Sequence, residues 1–240
     1  MVAIFRNEVR AFLTSLVGYV VMGVFLTAIG LLLWVFPDTS LLNYGYAELS
    51  PFFSLAPYVF LFLVPAITMR AFAEERRGGT LELLLTKPLT DWQLVLGKFG
   101  ACWFLILLTL LPTLVYYVTI YQLGNPVGNV DSAEVAGSYL GLGLLGGAFA
   151  AIGLFTSALT DNQIVAFLLG VFACFLGYVG ISALAGLESL GSAAYYVGQL
   201  GLDTRYASLG RGLLDSRDVV YLLSWIALAL WLTRWRVGSR

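Results

Sequence analysis

Apolar residues occur along this chain in six long blocks, with the polar residues gathered between them. The block at 16–36 is an uncharged run of 21 residues, about what a ~30 Å hydrocarbon core requires at 1.5 Å per helical residue. Blocks at 52–72, 100–121, 136–159, 164–185 and 219–235 follow. They predict an all-α polytopic membrane protein with six transmembrane helices in a single domain over 1–240. Residues 1–14 set Arg6, Glu8 and Arg10 among Ile4, Phe5, Val9, Phe12 and Leu13, which predicts an amphipathic helix on the membrane surface. No small-residue cleavage site follows, and the next run is of spanning length, so a cleavable signal peptide is not expected.

Several blocks have internal features. The second contains Pro57 and Pro65, which must leave carbonyls without their helical partners at membrane depth. Such a span reads either as a bent packing helix or as a gate hinge. The third is interrupted by Pro112 and ends in Tyr116, Tyr117 and Tyr121, an aromatic belt. The fourth contains GLGLLG, a formal dinucleotide fingerprint that lacks the strand and βαβ context it requires. Gly137, Gly141, Gly143 and Gly147 instead form a packing seam of small residues at four-residue spacings, whether within the chain or against a second subunit. Residues 186–217 are too polar to span and too apolar for an ordinary loop. Tyr195, Tyr196, Arg205, Arg211, Asp215, Arg217 and the following Asp218 give this stretch its mixed character. It reads as a segment that dips into the outer leaflet or as a hairpin plugging the end of the bundle.

The longest polar interruption, 74–98, is the most informative. Glu74, Glu75, Arg76 and Arg77 leave the second span as four consecutive charges, and Gly78 and Gly79 free the backbone to turn. Thr80 can cap a short helix through Glu82 to Thr86, in which Leu81, Leu84 and Leu85 share one face. Pro88 ends it, and Thr90 with Gln93 reads as a capping box opening the next helix, with Lys98 marking re-entry into the membrane. The short helix would lie in the headgroups or insert into a groove on a soluble partner.

Composition narrows the function. The chain is 60% hydrophobic and 11% charged, with no histidine, which removes most zinc sites and the histidine-dependent triads. Cys102 and Cys174 lie in apolar runs and read as small buried hydrophobes. No basic patch supports nucleic-acid binding, and no phosphate loop is present for ATP. The six blocks hold no midplane ionisable group of the kind that gradient-driven transporters use. Arg6, Arg10, Arg70, Arg76, Arg77, Lys87, Lys98, Arg234, Arg236 and Arg240 fall on one side of the predicted topology, and only Arg205, Arg211 and Arg217 on the other. Positive charge therefore places both termini and the 74–98 stretch in the cytoplasm. Dry spans beside a shaped cytoplasmic helix predict a protein that takes its energy from a partner.

The same residues carry a resemblance. EERRGGTLELLLTKPLTDWQLVLGK at 74–98 resembles the segment between the second and third spans of ABC-2 type transporter permeases. FRNEVRAFLTSLVGYVV near the amino terminus and RYASLGRGLLDSRDVVYLLS before the last block resemble that family's entry helix and final approach. The nearest likeness is to the gliding-motility-associated ABC permease subunit. The resemblance implies a non-enzymatic permease in a bacterial inner membrane, with no cofactor of its own. ATP and Mg would be held by an ABC ATPase subunit in two copies. The helix 80–86, flanked by Glu74, Glu75, Arg76, Arg77, Gly78 and Pro88, would be the coupling element, with Leu81, Leu84 and Leu85 as anchors. It also implies a second permease, either a copy of this chain or a related subunit with an extracytoplasmic domain, and a re-entrant gate over 186–217. Two classes of function remain open, an ATP-driven export permease and a non-transporting scaffold that relays motion to extracytoplasmic partners.

Overall fold

The computed structural model describes residues 1–37, 40–41, 46–79, 90–186 and 193–238. All regular structure among these residues is helical. In chain order the elements are α1 (Val2–Leu13), α2 (Leu16–Trp34), α3 (Ser50–Thr68), α4 (Arg70–Arg77), α5 (Asp91–Leu110), α6 (Leu114–Leu123) and α7 (Ser132–Leu159). They continue with α8 (Gln163–Phe175), α9 (Ile181–Ala185), α10 (Ala193–Gly198), α11 (Leu202–Leu209) and α12 (Ser216–Gly238). A 3-10 turn at Leu111–Thr113, opened by Pro112, joins α5 to α6, and a π turn at Leu176–Gly180 joins α8 to α9.

Five of the resulting rods are long and apolar enough to cross a membrane: Ser50–Arg77, Asp91–Leu123, Ser132–Leu159, Gln163–Ala185 and Ser216–Gly238. A sixth arises if α1 and α2, bent by 69°, are counted as one broken span. The helices overrun the sequence-derived limits because polar ends extend them. The rod from Ser50 continues past 72 to Arg77, the next begins at Asp91 rather than 100, and the last runs over Ser216–Gly238 rather than 219–235. The ends are capped as side-chain chemistry dictates. Thr90 and Gln93 form the reciprocal capping box at α5, Asp131 accepts from the amides of Ala133 and Glu134, and Asn162 accepts from that of Ile164.

Helix α7 is the axis around which the rest pack. Its apolar window is 83% buried, against 28% for the α8–α9 rod and 33% for α12, so the last two present much of their surface to the surroundings. Phe25 of α2, Phe60 of α3, Ile106 of α5, Phe149 of α7 and Leu222 of α12 belong to one continuous apolar core. Cys102 and Cys174 are buried and free.

The glycine seam lies inside the chain. A Cβ on Gly137 would stand 2.7 Å from Gly212 O, and one on Gly141 would stand 2.6 Å from Leu209 Cβ. Gly143 faces Leu107, and Gly147 faces Trp103 and Ile226. Trp103 Nε1 donates to Gly143 O at 2.9 Å. The small residues therefore admit α11, α5 and α12 to the surface of α7.

The prolines of α3 are accommodated without a break at either one. Pro57 has no N–H to give to Phe53 O, and Tyr206 Oη, on α11, donates to that carbonyl at 2.8 Å. The helix yields instead at Met69. There Ser157 of α7 donates to Met69 O at 3.0 Å and accepts from the amides of Phe72 and Ala73 at 3.1 and 3.2 Å. One hydroxyl thus satisfies the polar groups freed at the α3–α4 junction. Thr68 lies so close to Gly153 that a Cβ there would collide with its hydroxyl.

Candidate functional site

The helix assigned to 80–86 and its anchors Leu81, Leu84 and Leu85, together with Thr80, Glu82, Thr86 and Pro88, lie outside the described residues. Its two flanks are described, and they are joined. Helix α4 carries the charged run out of the second rod and ends where Gly79 takes φ +66°, a backbone conformation glycine adopts freely. Helix α5 begins at Asp91, so 80–89 connects the ends of two helices that are joined again about two turns into α5.

They meet at Lys98. Its Nζ stands 2.7 Å from Glu75 Oε1 of α4 and 2.5 Å from Glu8 Oε1 of α1. It also lies 5.3 Å from the centre of the Phe72 ring. The Lys98 side chain is only 1% exposed, whereas Glu8 and Glu75 are 29% and 20% exposed. Lys98 is thus enclosed by protein rather than lying open at the surface. The bundle buries it, and its two carboxylates make that burial tolerable.

Helix α1 reaches Lys98 by lying along α5. Ile4 packs where Gly97 leaves room, at 3.1 Å from the position of a Cβ, and the Phe5 and Phe104 rings meet edge-on at 5.8 Å. Glu8 follows Ile4 by one turn and so points the same way. Arg6 and Arg10 stay on the exposed face. In the charged run, Glu75 turns into the bundle while Glu74 and Arg77 are exposed. Lys98 consequently ties α1, α4 and α5 together at one point. A shift of α4 would therefore move or break its contact with α5 and α1.

The other predicted cluster sits at the opposite end of the bundle. Arg205 Nη1 pairs with Asp218 Oδ1 at 3.1 Å, and its guanidinium lies 5.2 Å from the Tyr221 ring centre. Ser208 Oγ also donates to Asp218. Leu202, Tyr206 and Leu209 of α11 are buried against α7, α12 and the π turn. Ser138 Oγ donates to Gly210 O at 3.1 Å, and Gly212 takes φ +74° against Glu134. The side chain of Tyr195 lies outside what is described, and the other predicted residues of this cluster have separate surroundings. Arg211 donates to Ala207 O, Asp215 accepts from the amide of Arg217, and Tyr196 is exposed.

The Lys98 junction is the part that sequence reasoning missed. Glu8, Glu75 and Lys98 are each conspicuous as charges beside apolar blocks. Their pairing could have been sought by asking which acids neutralise a lysine two turns inside a helix.

Residues 37–200 match the family described as "ABC-2 family transporter protein". A stretch of 109 residues is 34% identical to the "Probable multidrug ABC transporter permease YbhR" of Escherichia coli, in strain K12 and in strain O157:H7. That stretch is 45% of this chain and 28% of the length of those relatives.

Proposed function

Because the chain belongs to the ABC-2 transporter family, we propose that it is a permease subunit driven by a separate ATP-hydrolysing subunit, with residues 80–86 as the contact that receives the stroke. The observation that carries this reading is the Lys98 junction, which clamps both helices leading into 80–89 and adds α1. A push on that segment would reach α4 first, then α5 and α1 through Lys98. The Met69 junction held by Ser157 supplies a point about which α4 can turn relative to α3. Leu81, Leu84 and Leu85 would fill a cleft of the ATPase, with Glu74 and Arg77 at its rim. ATP and Mg belong to that partner, in two copies per complex.

The Lys98 end then faces the cytoplasm of a bacterial inner membrane, in agreement with the excess of Lys and Arg on that side. A second permease, identical or related, completes the path, and the 186–217 segment with Arg205 and Asp218 lines its outer end. The E. coli relatives are named as multidrug permeases, which favours export of a small apolar or amphipathic substrate. A gliding-motility complex is the narrower reading, supported by the similar chain length and by the RG, D, RD, Y pattern within RYASLGRGLLDSRDVVYLLS.

The test is to purify the tagged chain from its native membranes in mild detergent and identify what accompanies it. A stoichiometric ATPase is expected. A larger permease-like chain beside it would favour the gliding-type heteromer, and absence of any ATPase from otherwise intact complexes would overturn the energy-coupling reading.

A further inference from the structure

At the Lys98 end, a cavity of about 410 Å³ opens between the start of α5 and the end of α12, lined by Asp91, Trp231, Arg234, Trp235 and Gly238. Trp231, Arg234 and Trp235 fall at i, i+3 and i+4 and so project on one side of α12. Gly238, one turn on, lets Asp91 approach: a Cβ there would stand 2.9 Å from Asp91 Oδ2. Arg234 is exposed, and its guanidinium lies 5.1 Å from the centre of the Trp92 ring, which gives it a resting place beside the cavity. Among the described residues, Arg234 and Asp91 line the same space without forming an ion pair with each other.

We propose that this cavity is a binding site for the zwitterionic headgroup of an aminophospholipid of the phosphatidylethanolamine class. Opposite charges on the two walls of one cavity, Asp91 on α5 and Arg234 on α12, match a ligand that carries a phosphate and an ammonium a few bonds apart. Arg234 donates in two parallel bonds to the phosphate. The primary ammonium donates to the Asp91 carboxylate and is attracted by the indole faces. Trp231 and Trp235 are 53% and 65% exposed, as suits side chains at the boundary between lipid and water. Val220 and Leu228, exposed on the same side of α12, offer apolar surface for the acyl chains. The site draws on none of the groups in the Lys98 junction and does not depend on the transport reading.

The test uses the full chain purified in mild detergent and stripped of native lipid. Equal amounts of short-chain phosphatidylethanolamine, phosphatidylcholine and phosphatidylglycerol are offered, and the retained lipid is counted by native mass spectrometry. One phosphatidylethanolamine per chain is expected, favoured about tenfold over either competitor, the equivalent of about 1.4 kcal/mol. Arg234→Gln should abolish retention of all three. Asp91→Asn should lower phosphatidylethanolamine to the level of phosphatidylcholine while retaining the phosphate contact. Arg234→Lys, which keeps the charge without the planar fork, should bind at an intermediate level, and it serves as the second variant if Arg234→Gln fails to fold. Equal retention of the three lipids, or unchanged retention by a folded Arg234→Gln variant, would overturn the site. Equal retention of ethanolamine and choline headgroups that Asp91→Asn leaves unaltered would overturn the role given to the carboxylate.

Discussion

Each end of the bundle holds an ion pair, and the two pairs differ in what they connect. Lys98 is 1% exposed and joins Glu8, 90 residues away, to Glu75, 23 residues away, across three helices. Arg205 is 27% exposed and joins Asp218, 13 residues away, between neighbours that one short turn already holds close. The first pair sets the positions of separate elements, and the second fastens a local wedge. Loss of Lys98 would leave two neighbouring carboxylates without their cation, whereas loss of Arg205 would leave one carboxylate, Asp218 at 10% exposed, that still accepts from Ser208.

Removing the charged groups one at a time sharpens this contrast. The largest effect is expected from Lys98→Ala, which leaves two carboxylates close together without their cation. A loss of about 3–5 kcal/mol is expected, read from unfolding of the purified chain by denaturant in detergent. The double-mutant cycle of Lys98 with Glu75 should show strong coupling. An effect below that of a surface pair would mean that Lys98 reaches water and that the junction does not constrain α4.

Tyr206→Phe comes next. The Phe53 carbonyl, deprived of an amide by Pro57, would lose the hydroxyl it is bonded to. A loss of about 1–3 kcal/mol is expected in the same assay. Pro57→Ala made in the Tyr206→Phe background should recover part of it by restoring the helical donor. If it recovers nothing, the two groups are not serving the same carbonyl.

The smallest effect is expected from Arg205→Gln, about 1–2 kcal/mol, because Asp218, though only 10% exposed, keeps the Ser208 hydroxyl when the cation is removed. An effect as large as that of Lys98→Ala would erase the distinction between the two ends.

What could be read from the sequence follows the same division between local and distant. The apolar blocks were legible because a span needs only length and hydropathy, and the Thr90–Gln93 cap because its two members are three residues apart. Pro57 and Pro65 announced carbonyls without donors, yet nothing near either proline pointed to Tyr206, which is 153 residues from Phe53. The glycines of α7 announced a close approach. That they admit Leu209 and Gly212 of the same chain depended on how the 193–215 region folds back, which no local pattern states. Lys98 looked like an edge charge because hydropathy counts a lysine as polar wherever it stands, and only α1 lying along α5 makes it an interior one.

The proposed docking of an ATPase at 80–86 is tested most directly by replacing Leu84 and Leu85 together with Asp and purifying the chain from its native membranes. The variant should insert and fold as the parent does, with the Lys98 junction intact, and should no longer retain the ATPase that the parent carries. An ATPase still bound in stoichiometric amount to the double variant would contradict the assignment, and would leave those leucines as a face turned toward lipid.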